Sequence, residues 1–225
     1  MARKRAPAAA EAIARFLDAV VPARERGAAD LAGTPARVAE AWLEDLLDGY
    51  RMDPAEILAE ALPSPAKELV AVTGIDFHSM CPHHLLPSRG LAHVAYVPGG
   101  QVVGFGQLAR LVDCFAHRLV LEEDLARLVA EALVTHIGAR GAACVLDAEQ
   151  TCLSVRGELR PRARAHAQCF LGVLDTDARL QGRFLAVCGE GGGAASWGAG
   201  DGSRSGAGAR SGSRARSNPR SRRTG

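Results

Sequence analysis

Cys81-Pro82-His83-His84 is the stretch of this 225-residue chain whose residue types most directly imply chemistry. Cys-x-x-His sets a soft sulfur and an imidazole at a spacing that lets both reach one tetrahedral ion. A third donor is needed, and Cys152 offers one late in a strand expected over residues 142–155. Two Cys and one His leave a fourth zinc position open to water, which is the catalytic rather than the structural arrangement. His83 cannot easily share the ion held by its neighbour, so it is free for proton transfer. The six cysteines include no Cys-x-x-Cys pair, and Cys114, Cys144, Cys169 and Cys188 read as core thiols.

The elements that must position these groups follow from hydrophobic period and turn signals. Residues 69–77 and 91–97 read as strands, the second closed by Pro98-Gly99-Gly100. Helices are expected over 107–119 and 122–137, where Leu121, Leu125, Leu128, Val129, Ala132, Leu133 and Ile137 make a half-buried stripe. The strand over 142–155 has its hairpin partner at 165–174, and a last helix spans 177–187. Upstream, 8–24 reads as a helix with Ile13, Phe16, Leu17 and Val20 on one stripe. Thr34-Pro35 looks like a hydroxyl cap and an N-terminal Pro, opening a helix that ends near Gly49. Pro54, Pro63 and Pro65 punctuate the connection onward. Two strands, two helices and two strands make an α+β sheet with helices on one face.

Composition narrows the class. At 48% hydrophobic and 23% charged the chain is an ordinary globular one, with so few aromatics that Ala, Val and Leu must fill its core. No apolar run approaches the roughly 18 residues of a membrane span. The basic start at Met1–Arg5 is followed by no apolar signal segment, and the chain reads as cytoplasmic. Its net charge of +2 conceals an asymmetry: residues 191–225 carry +6 and the remainder −4. That tail, with ten of the 25 Gly, is expected to be disordered. A basic arm of this kind can touch nucleic acid, but a solvated extension is the simpler reading and nucleic-acid binding is not expected. The organisation expected is an N-terminal helical region over 1–66, a catalytic domain over 67–190 and the tail over 191–225.

Phe77-x-Ser79-x-Cys81-x-His83-His84-Leu85-Leu86-Pro87, then Gly90 and Ala92–Pro98, resembles the GTP cyclohydrolase I family. The likeness continues through Leu108–Asp113, Phe115-Ala116-x-Arg118 and Cys152-x-x-x-Arg156-Gly157, with Thr34-Pro35-x-Arg37-Val38 upstream. It implies the tunnelling fold, an antiparallel sheet with two helices on one face preceded by N-terminal helices, assembled as a toroidal homodecamer with sites between subunits. It implies Zn2+ held by Cys81, His84 and Cys152, with His83 moving a proton. Glu123 would read the guanine edge, while Arg37, Arg110 and Arg156 would face the triphosphate. The implied reaction opens the imidazole ring of GTP at C8, releases formate and closes the rearranged sugar into dihydroneopterin triphosphate, the entry to folate.

The departures from the family pattern fall on substrate positions. Pro82 replaces a Glu, Gln150 a His that acts as acid on the purine, and Gly106-Gln107 a Ser-Lys pair. Glu122 replaces a Gln, and Glu40 stands where a Lys is frequent. The strand after Arg-Gly, Thr/Ser-rich in the family, is Ala165-His166-Ala167-Gln168. Loss of a general acid costs about 10²- to 10⁴-fold in rate. Each lost charge-assisted contact costs about 1.5–3 kcal/mol. Zinc and base recognition are retained, and phosphate grip and ring protonation are reduced. Three outcomes stay open: the full reaction, a reaction stopping at a formamidopyrimidine or diaminopyrimidine on a less phosphorylated nucleotide, and a catalytically silent zinc- or purine-binding paralogue acting as a regulatory partner. His93 reads as structural. His166 reads as structural or as the source of the proton that Gln150 cannot give. Arg160, Arg162 and Arg164 either approach phosphate or solvate a loop.

Overall fold

The structure is a computed structural model that describes residues 2–27 and 31–191, with side chains described for 5–27 and 31–189. The expectations for the Gly/Arg-rich tail lie outside the described residues from residue 192 onward.

The N-terminal region is helical. Helix α1 (Ala2–Val20) packs against α2 (Thr34–Ala41), which runs on through a π-helical turn, Trp42–Leu46, and a 3₁₀ turn, Asp48–Arg51. The cap expected at Thr34 is displaced by one residue. Gly33 occupies the N-cap without a side-chain bond, and the Thr34 hydroxyl accepts from Arg37 at 3.0 Å. The Pro-punctuated connection holds a short helix, α3 (Pro54–Leu58), which Asp53 caps by accepting from the Ala55 N–H at 2.8 Å. It then forms β1 (Leu62–Pro63).

The central sheet begins with β2 (Val70–Met80) and β3 (Pro87–Val97), joined by the six residues that contain Cys81, His83 and His84. After the two-residue β4 (Gln101–Val102), which pairs with β1, come α4 (Phe105–Ala116) and α5 (Glu122–Ile137). Strand β5 (Gly141–Gln150) follows, then a single helical turn, α6 (Thr151–Ser154), and β6 (Ala165–Gly172). The chain closes through α7 (Val173–Thr176) and α8 (Ala178–Gly191). The four long strands run in the order β2-β3-β5-β6, every pair antiparallel. This is the α+β, antiparallel-sheet architecture expected, with one change of boundary that matters. The long strand stops at Gln150, so Cys152 sits on a helical turn and not within a strand.

Two cores lie on opposite faces of the sheet. The larger packs Leu108, Leu111, Val112 and Phe115 of α4 and Leu125, Val129 and Leu133 of α5 on Val94, Tyr96 and Leu146. The smaller one sets Leu174 and Phe184 of α7 and α8 under Ala95, Val97 and Ala143. The sheet is therefore covered by two helices on the first face and partly by α8 on the second. Small residues dominate both strand faces, which compensates for the scarcity of aromatics. Helix α5 carries Glu122, Glu123 and Asp124 in its first turn, where the macrodipole favours acids, and ends at Gly138 with φ 61°.

Polar contacts dock the N-terminal region on the end of α4. The Arg118 guanidinium donates to the carbonyls of Cys114 (2.6 Å), Gly49 (3.1 Å) and Met52 (3.3 Å). His117 meets Asp48 at 2.7 Å and stacks on His78 of β2 with ring centroids 4.0 Å apart. Burial lowers the pKa of His78, and the neighbouring His117 adds to that.

Candidate active site

The hairpin between β2 and β3 is held tightly at its base. Cys81 N–H donates to Leu86 O and Leu85 N–H to Cys81 O, both at 2.9 Å. Leu85 adopts the left-handed region, φ 53°, which a non-glycine residue occupies at a cost of about 1–3 kcal/mol. Beneath the loop, Ser79 and Ser88 face each other on neighbouring strands, both buried, their hydroxyls 2.6 Å apart. The turn bearing Cys152 is tied to the same place, because the Thr151 hydroxyl donates to Pro87 O at the foot of the loop.

This arrangement gathers residues that are 71 positions apart in the chain. One donor atom from each of Cys81, His84 and Cys152 lies within 4.8 Å of the other two. His84 Nδ1 is 3.8 Å from Cys81 Sγ, and its Nε2 accepts from Arg156 at 2.7 Å. Burial and the adjacent Cys81 raise the pKa of the Cys152 thiol. Two thiols and an imidazole are a donor set suited to Zn2+. Among the described residues no other such group of His, Cys, Asp and Glu converges in this way.

A pocket of about 210 Å³ opens beside the donor set. Cys81, Pro82, His83 and Cys152 line one side, Glu122 and Glu123 at the start of α5 another, and Gln150 and His166 from β5 and β6 complete it. Glu122 is only 5% exposed, and neither carboxylate oxygen has a hydrogen-bond partner of normal geometry. Burial raises its carboxyl above the ordinary range; Glu123 and Asp147 add to the effect, while nearby Gln150 and Ser88 oppose it. Gln150 Oε1 lies 3.8 Å from Cys152 Sγ. Glu123 is exposed at the rim, as is His166, whose side chain is 68% accessible and whose Nδ1 is 3.7 Å from Asp147.

Other expected site residues stand apart from the pocket in this chain. Gln107 uses both polar atoms within the protomer, accepting from Gly104 N–H and donating to Ile57 O, each at 2.7 Å. Arg37 and Arg110 are outside the pocket lining. Of the three loop arginines, Arg164 pairs with Asp147 at 2.6 Å and Arg160 donates to Glu158 O at 2.7 Å. His93 accepts from Gly74 N–H at 3.3 Å within a β2 bulge, a structural contact. Ser88 and Thr151 are the site residues that sequence reasoning passed over. The signal for Ser88 was available, since a Ser stands two residues outside each end of the Cys81–Leu86 loop.

Comparison with known proteins bears on the same residues. The GTP cyclohydrolase I family profile matches residues 9–189, which includes every element named above except the first turns of α1 and the end of α8. The chain belongs to the GTP cyclohydrolase I family. It is 45% identical over 152 residues to GTP cyclohydrolase 1 of Chromobacterium violaceum, covering 68% of this chain and 74% of that one. A GTP cyclohydrolase 1 of Ralstonia nicotianae is likewise 45% identical over 152 residues, covering 68% and 73%. That of Campylobacter lari is 47% identical over 155 residues, covering 68% and 81%. The chain is thus a GTP cyclohydrolase I-like hydrolase. No described helix is long and apolar enough to cross a membrane.

Proposed function

We propose that this protein is a zinc hydrolase that opens the imidazole ring of a guanine nucleotide at C8 and releases formate. The observation that carries the reading is the convergence of Cys81, His84 and Cys152 beside a pocket lined by two glutamates and a free histidine. Zinc bound by these three donors would supply Lewis acidity, lowering the pKa of a bound water to about 7.

The protein's own groups supply the rest. Glu123 at the rim accepts from the N–H groups of the guanine edge, and an unmatched base would leave it unpaired. His83, exposed beside the donor set, moves a proton at the reacting carbon. Arg156, which reaches His84, and, from adjoining copies, Arg37 and Arg110 meet the phosphates; the Arg fork suits those oxygens. Ser79, Ser88 and Thr151 hold the loop and the Cys152 turn in register. Assembly of several copies is supported by α1, where Phe16 and Val20 are 59% and 56% exposed, and by the unpaired outer edges of β2 and β6 among the described residues.

The substrate is a guanine nucleotide held with a weaker phosphate grip than the family pattern gives, because residues 1–190 carry −4 and Glu40 and Gln107 stand where the family pattern has Lys. Loss of the imidazole at 150 favours a product that stops at the diaminopyrimidine stage, after formate release. Zinc content of the purified protein, and product masses from GTP, GMP and guanosine, test this. The expected result is about one zinc per chain, lost in Cys152→Ser, and a ring-opened product. Bound zinc with no product from any guanine compound would replace this reading with that of a silent zinc-binding paralogue.

A further inference from the structure

Among the described residues, Glu122 is the buried acidic side chain. Burial of an ionised carboxyl with no normal hydrogen bond is costly, and a neutral Gln of the same shape would carry no charge to desolvate. Its surroundings explain what the carboxyl is suited for. Ser88 approaches from β3, Gln150 and Asp147 from β5, and Glu123 from its own helix, with His83 and His166 bordering the same pocket. The two acids and the burial all favour the protonated carboxyl, outweighing Ser88 and Gln150. Gln150 beside it has no proton to give at neutral pH. The sequence thus gains a carboxyl at 122 and lacks an imidazole at 150, and the fold sets the two positions side by side.

We propose that Glu122 is the proton donor to N7 of the guanine ring during opening at C8. The inference rests on the ring-opening function. As a water oxygen bonds to C8, the electron pair of the C8–N7 double bond moves to N7, and Glu122 delivers its proton there. The attacking water gives up a proton that returns to the Glu122 carboxylate, directly or through the pocket. The C8–N9 bond then breaks, the proton of the new C8 hydroxyl passing to N9, and a formamide remains on N7. One water is added in total and Glu122 is regenerated.

The variants Glu122→Gln and Glu122→Gln/Gln150→His test this in the zinc-loaded protein, with zinc content and melting temperature confirming that each is folded. Ring opening of GTP near pH 7 is expected to fall about 10²- to 10⁴-fold in Glu122→Gln, the range for loss of a general acid. The double variant, with an imidazole restored at 150, is expected to recover part of that loss. Independently of turnover, pH-difference infrared spectra are expected to contain a protonated-carboxyl band at neutral pH in the unsubstituted protein that Glu122→Gln lacks. Ring opening by Glu122→Gln at the unsubstituted rate, or absence of that band, overturns the inference and leaves the ring-opening function standing. Failure of the unsubstituted protein to open the ring overturns the function and the inference together.

Discussion

Gly90 offers a direct test of how the sheet sets the site. It pairs with Ala148, two rungs from the Ser88–Gln150 pair that borders the pocket. A Cβ at Gly90 would fall inside the Asp147 carbonyl oxygen, 2.7 Å from Ala148 Cα and 2.9 Å from Asp147 C. Ordinary contact begins at 3.4 Å, and all three atoms belong to backbone that no rotamer change can move. Strands β3 and β5 must therefore part by at least roughly 0.7 Å in an interior packed as densely as a crystal. Overpacking of this kind costs about 1–3 kcal/mol. For a chain of this size that lowers the melting temperature by about 2–12 °C.

The displacement also reaches the Cys81, His84 and Cys152 cluster, since the Thr151–Pro87 bond and the Cys152 turn hang on those strand ends. Zinc affinity of Gly90→Ala, read by chelator competition, should fall about 10-fold, as for loss of a supporting contact. Gly106→Ala is the control: its Cβ meets nothing within 4 Å, and a helical Gly→Ala change stabilises by about 0.5–1 kcal/mol. Gly90→Ala with the melting temperature and zinc affinity of the parent protein would refute the reasoning.

Three further outcomes are expected. Arg118→Met removes the donor to three carbonyls that join the N-terminal region to α4, and should cost about 2–3 kcal/mol in chemical denaturation, without loss of zinc. Glu122→Gln should raise the melting temperature at pH 8 but not at pH 4. The folded carboxyl has a raised pKa, so the stability that its protonation contributes is complete below the unfolded value near 4.5 and is lost as pH rises through the folded value. His166→Ala should leave turnover unchanged, since that side chain lies largely in solvent; a large loss would make His166 the proton source in place of Glu122.

Much of this was legible in the sequence, and the reason is physical period. Helix α5 over Glu122–Ile137 matches its expected bounds because a continuous apolar stripe, an acidic first turn and a Gly stop all agree. The convergence of Cys81, His84 and Cys152 was legible because few residue types carry soft sulfur or imidazole donors. Boundaries set by side-chain competition were not. Thr34 was expected to cap a helix but bonds Arg37 within it, and the strand expected to run to Val155 breaks at Thr151, whose hydroxyl finds the Pro87 carbonyl on the neighbouring strand β3. The burial of Glu122 was invisible as well. Adjacent glutamates look alike in sequence, and only the packing of α5 against Ser88 and Gln150 separates a buried acid from an exposed one.

The most direct test of the central claim follows the carbon itself. GTP labelled with ¹³C at C8 would be incubated with the zinc-loaded protein and watched by ¹³C NMR. The predicted result is movement of the label from the purine ring into a formamide and then into free formate, abolished by Cys152→Ser. A label that stays in the intact ring, in a protein carrying its full zinc, would contradict the account.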